Sequence, residues 1–301
     1  MCVWEGALLR NLRKNMHGRV QHAPPCCQCA GPSSALLREH ERYVASLDLW
    51  IVSSGGTGSN ALSQQLRKAH WLSGPKANRL LRVRKGGGHG QRMYEETTHA
   101  PRPIISPGSE KSTRPPTLFI LGDLPNALSS VLRQGLVRYN LEKILFGTND
   151  LCCRSCSQRH LSQLIEVGHP DPFGIARQLA SFLDADATGA LNVAFVRYPV
   201  TRASVDAAFA LLGMSVNTSS VNAKVVPRRP RSSSNWVRSQ RPLEMALHRC
   251  YVDLAHAEVD LPAAFRAADA PHALLRTVRR LASAVNQTWL SIESGGVRTT
   301  W

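Results

Sequence analysis

A chain of 301 residues with 43% hydrophobic side chains can bury a large core, which argues against wholesale disorder and suits one α/β domain with insertions. Lysine and arginine outnumber the acids 37 to 21, a formal net charge of +16, and so favour anionic partners: nucleotides, phosphate or sulfate esters, acidic glycans or nucleic acid. No uncharged apolar run approaches the roughly 18 residues of a membrane-spanning helix.

Residues 1–44 read as a weakly ordered basic segment, with Arg10, Arg13, Lys14, Arg19 and Arg38 and few acids. They have the composition of an organelle transit peptide or of a plain basic tail, and lack the apolar centre of a secretory signal. The localisation is otherwise unmarked. Of the eight cysteines, six fall in two clusters, Cys26, Cys27, Cys29 and Cys152, Cys153, Cys156. Cys153 and Cys156 have ligand spacing, with His160 one helical turn beyond, but two irregular segments would have to meet to build a zinc site. Free thiols are the expected state, and no metal site is assigned.

The core domain spans 45–290, and its first strand, 48–53, runs into Ser53-Ser-Gly-Gly-Thr-Gly-Ser-Asn60 and a helix over 60–70. A buried strand, a glycine- and hydroxyl-rich turn and a helix start aim backbone N–H groups at one point, as an anion requires. Gly55, Gly56 and Gly58 let the chain approach a ligand closely. Ser54, Thr57 and Ser59 offer hydroxyl donors, and Ser59 or Asn60 can cap the helix. The lysine of a nucleotide-triphosphate loop is missing, so the turn reads as a phosphate-binding one rather than an ATPase one; a tight turn without ligand is the alternative.

Residues 73–116, basic and rich in glycine and proline, read as a surface insertion. A second strand, 117–123, precedes a helix from about Pro125, and a second insertion occupies 147–170. Asp171-Pro172 opens a helix over 172–183, Asp capping and Pro starting it. A third strand, 192–198, is followed by a helix over 201–213 that stops at Gly213. After a proline-, arginine- and serine-rich stretch at 224–241, helices at about 242–257 and 270–285 close the domain, and 291–301 is a tail. Three strand–helix pairs in alternation predict a three-layer α/β fold, a parallel sheet with helices on both faces.

Five segments in this order together resemble the sulfotransferase family. The glycine turn resembles its 5′-phosphosulfate loop, and Thr98-His-Ala-Pro101 its Thr-His-x-Pro element. Gly122-Asp-Leu-Pro-Asn-Ala-Leu-Ser-Ser130 is similar to its 3′-phosphate segment. Asn192-Val-Ala-Phe-Val-Arg-Tyr-Pro199 with Phe209 to Gly213 resembles its Val-Arg-Tyr strand and Phe-Leu-Gly helix end, and Val226-Pro-Arg-Arg-Pro-Arg231 its late basic loop.

The resemblance implies a P-loop-like architecture and a sulfuryl transfer from 3′-phosphoadenosine 5′-phosphosulfate to a hydroxyl or amine acceptor, carbohydrate included. It makes His99 the general base, with Glu95 and Glu96 as fallbacks. It makes Ser54, Gly55, Gly56, Thr57, Gly58, Ser59, Asn60, Ser130, Arg228, Arg229 and Arg231 the donor-binding residues, and it calls for no metal. Three family cations are replaced, by Gly56, Thr97 and Gly122, which implies weakened activity. A non-catalytic anion- or glycan-binding protein on the same fold is the alternative, and a basic nucleic-acid-binding protein the third.

Overall fold

The computed structural model describes residues 47–68, 114–133, 157–166, 168–216, 221 and 234–294, with positions 42, 44, 45, 103, 137, 218 and 219 besides. Its centre is a four-stranded sheet in the order β1 (Trp50–Ser53), β2 (Thr117–Leu121), β3 (Val193–Arg197) and β4 (Ala264–Phe265). The first three strands are parallel, with Val52 beside Phe119 and Phe119 beside Phe195. β4 runs antiparallel to β3. The sheet is therefore mixed, where the strand–helix alternation predicted an all-parallel one. Two residues cannot display a period-2 pattern, so β4 leaves no sequence signal. Phe265 stacks on Phe195 with ring centroids 5.3 Å apart, and Arg197 N donates to Ala263 O.

All five residues of β2 are buried, as the unbroken apolar run Thr-Leu-Phe-Ile-Leu requires of a strand covered on both faces. Side chains alternate. Trp50, Val52, Phe119, Leu121 and Phe195 pack on one face, against α2 (Leu124–Arg133), α3 (Ser157–Glu166), α4 (Ile175–Ala187), α6 (Ser234–Cys250), α7 (Val252–Ala257) and α8 (His272–Ser294). Leu118, Ile120, Ala194 and Val196 face α1 (Ser59–Lys68) and α5 (Arg202–Leu211) on the other. Helices thus cover both faces, in an α/β arrangement.

Several helix boundaries depart from those expected. α4 begins at Ile175, after Gly174 at φ 70, rather than at Pro172. Asp171 still satisfies a helix-start donor, because its Oδ2 accepts from Arg177 N at 2.9 Å. Its Oδ1 accepts from the Tyr251 hydroxyl at 2.6 Å, and the same hydroxyl accepts from Phe173 N. α6 starts at Ser234 and holds Pro242 inside it, where the sequence placed a helix beginning near 242. Packing of Leu243, Ala246 and Leu247 into the core outweighs one missing backbone donor. α8 extends to Ser294, beyond the expected 285.

α5 follows expectation closely. Thr201 and Ser204 form a reciprocal capping box at its start, and Gly213, at φ 69, ends it with Met214 N on Phe209 O. No described helix is long and apolar enough to cross a membrane.

Candidate functional site

α1 leaves β1 toward one face of the sheet and α2 leaves β2 toward the other, so the strand ends between them open into a crevice. The glycine turn occupies its β1 side. Gly55, Gly56 and Gly58 all have positive φ, at 96, 70 and 77°. Ser53 Oγ donates to Ser59 Oγ across the base of the turn at 3.1 Å. Gln178, fully buried on α4, accepts from Ser54 Oγ at 2.8 Å and donates to Ser53 O at 3.4 Å.

Gly56 presses on the first turn of α2. A Cβ there would lie 2.4 Å from Ala127 O and 2.8 Å from its Cα. Position 56 therefore has no room for any side chain. Gly122, at φ 103 and the end of β2, is closed in by Tyr198 and Arg197.

Between the turn and α2 lies a cavity of about 20 Å³, enough for one water-sized group. Its walls are mostly apolar, with Leu121, Leu128 and Leu179 among them, and its polar residues include Ser54, Thr57 and Glu258. Thr57 is 3% exposed, and its Oγ1 has no hydrogen-bond partner among the described residues. Glu258, just past α7, is buried, and its Oε2 accepts from Leu124 N at 3.2 Å. Gly122 N–H also donates to this carboxyl. Burial pushes the Glu258 carboxyl up to about 7; the two N–H bonds and Arg197 oppose the rise, and Asp123 adds to it.

Asp123 lies in the turn after β2 at φ 50, its carboxylate held by Asn126 Nδ2. It also raises the Tyr198 hydroxyl, behind burial as the larger cause. Arg197 donates through Nη1 to Leu261 O at 3.0 Å. The charges that act on Glu258 are thus those of Asp123 and Arg197.

The structure gathers some of the residues expected in the site and not others. Ser54, Gly55 and Thr57 line the cavity, Gly56 and Gly58 shape the turn, and Ser59 begins α1 with its hydroxyl held by Ser53. Asn60 is the second residue of α1, and its side chain lies outside the described residues. Ser130 sits on α2 off the face formed by Leu124, Ala127, Leu128 and Val131, and does not line the cavity. Its neighbour Ser129 bonds Pro125 O and faces His248.

Arg133 is at the far end of α2, beside Glu244. His99, Glu95, Glu96, Arg228, Arg229, Arg231 and both cysteine clusters lie outside the described residues. Among the described residues no group of three or more His, Cys, Asp or Glu could hold a metal ion.

Sequence reading missed Glu258 and Gln178. Glu258 follows an ordinary helix and resembles any surface acid, and nothing local marks its burial. Gln178 carries no motif, and only its fully buried place opposite the turn identifies it. In comparisons with known proteins, no family model, no curated protein and no solved structure matches the chain.

Proposed function

We propose that this chain is a sulfotransferase-like protein with a nucleotide-phosphate site at the C-terminal edge of its sheet, weakened as a catalyst. One observation carries the reading. Three of the collinear segments, separate in sequence, lie side by side: the glycine turn, Gly122–Ser130, and Arg197–Tyr198, with Gly56 against Ala127 and Gly122 against Tyr198. The Thr57 hydroxyl, without a hydrogen-bond partner among the described residues, supports a donor phosphate or sulfonate oxygen as its partner. His99 as base and Arg228, Arg229 and Arg231 as phosphate contacts rest on the resemblance alone.

Titration calorimetry with 3′-phosphoadenosine 5′-phosphate tests the reading. Binding tighter than about 100 μM, roughly −5.5 kcal/mol, is expected; no heat at that concentration overturns it.

A second reading is favoured by Glu258 and Gly56. A carboxyl already accepts from the N–H groups of Gly122 and Leu124, and Ala127 leaves no space for a cation at position 56. This supports a non-catalytic anion-binding protein on the same fold. It expects the nucleotide to bind while no labelled sulfate reaches any acceptor in a broad panel.

A further inference from the structure

A helix N-terminus offers N–H groups and a positive dipole end to an anion. At α2 the chain supplies that anion itself. Glu258 reaches in from the end of α7, 134 residues along from Leu124, and accepts from Leu124 N, with Gly122 N–H as second donor. An acid buried for packing alone would be replaced at less cost by an apolar residue, since an ionised carboxyl taken out of water costs several kcal/mol. Beside it, the buried Thr57 hydroxyl lines the same cavity without a partner among the described residues. A carboxyl occupant and an unsatisfied donor in one small cavity fit a site made for an oxyanion.

We propose that this cavity is an oxyanion subsite, that Glu258 is its built-in occupant, and that a phosphate or sulfate oxygen takes over its donors when Glu258 is neutralised. The site is then proton-linked: each incoming anion brings one proton to Glu258. The charges around Glu258 set the balance. Asp123 after β2 favours neutralisation, and Arg197 at the end of β3 opposes it. On α6, His248 is engaged with Pro125 O, and Arg280 of α8 is paired with Asp253 of α7. This inference deepens the reading above, which supplies only the chemical identity of the incoming anion.

Sulfate is the clean probe, because it stays a dianion from pH 6 to 8.5 and any pH dependence belongs to the protein. Calorimetry on the full chain is expected to show sulfate binding roughly 30-fold tighter at pH 6 than at pH 8.5, with uptake of about one proton near pH 8. Glu258→Gln is expected to bind at pH 8.5 about as the wild type does at pH 6, with the pH dependence gone. Thr57→Val, which removes an unsatisfied buried hydroxyl and so preserves the fold, is expected to weaken binding at both pH values.

No sulfate binding, binding independent of pH, or a pH dependence that survives Glu258→Gln overturns the inference. Should Glu258→Gln fail to fold, Thr57→Val and the wild-type proton uptake decide. The two readings fail separately: sulfate binding with Glu258 linkage but no nucleotide binding removes only the sulfotransferase-like function. Nucleotide binding without the linkage removes only the subsite.

Discussion

Gly56 and the backbone of Ala127 are in such close approach that a single added carbon would sit 2.4 Å from the Ala127 carbonyl oxygen. The glycine turn is thereby clamped to α2, and the site's two halves share one packing contact.

Replacing Gly56 by Ala is expected to cost about 2–4 kcal/mol, from positive φ plus forced displacement of α2. Gly213 has nearly the same φ, 69°, but open space around it. Gly213→Ala is expected to cost about 1 kcal/mol, so urea unfolding of both variants separates clash from backbone strain. Equal losses contradict the clamp.

The Glu258 carboxyl makes stability depend on pH with a definite sign. Its folded value of about 7 lies above the ordinary 4.5, so between these values the folded protein holds a proton that the unfolded chain has released. Stability from this group is full below about 4.5, falls as pH rises to about 7 and is flat beyond. The loss is on the order of 3 kcal/mol. Buried His169 acts in the opposite sense, because burial lowers its ring and acid therefore favours the unfolded chain. The wild-type minus Glu258→Gln difference in unfolding free energy isolates the Glu258 slope; a difference constant from pH 5 to 8 refutes it.

Tyr251→Phe tests the buried network under α4. It removes the donor to Asp171 Oδ1 and the acceptor for Phe173 N. A loss of about 2–4 kcal/mol is expected, with the denaturant slope unchanged. A loss under about 1 kcal/mol shows that water replaces the hydroxyl.

Asp186, near the end of α4, joins three elements. Its carboxylate accepts from Arg266 Nε at 3.1 Å and from Arg266 Nη2, from Val193 N at 3.0 Å and from Ala267 N at 2.9 Å. Asp186→Ala is expected to cost about 3–5 kcal/mol in thermal or urea unfolding, since it removes the carboxylate from Arg266 Nε and Nη2 and strands two buried N–H groups, while Arg266 Nη1 keeps Asn192 and Leu211 O. Adding Arg266→Ala to it is expected to cost little more.

Strands β1, β2 and β3 were legible because each is an apolar run bounded by turn residues. Thr117–Leu121 and Val193–Arg197 are central, and centrality removes the ambiguity of alternation. The helix from about 201 and its stop at Gly213 were legible because their signals act within a few residues, although the Thr201–Ser204 capping box was not read. Pro242 misled because local propensity says that a proline opens a helix, whereas α6 continues through it on the strength of its packing. The turn at Ser53–Ser59 could be identified from its own residues, but its neighbours could not. Glu258, Gln178 and Tyr251 reach their partners across 134, 124 and 80 residues, distances over which sequence spacing carries no information.

That separation also fixes when the site can form. Gln178 grips the glycine turn from 124 residues further along the chain, so closing that loop must precede the turn's final shape. During synthesis β1, the turn and α1 all emerge long before α4. The turn cannot mature as they emerge; it waits for Gln178 to dock, and its final shape becomes a late product of folding rather than its nucleus.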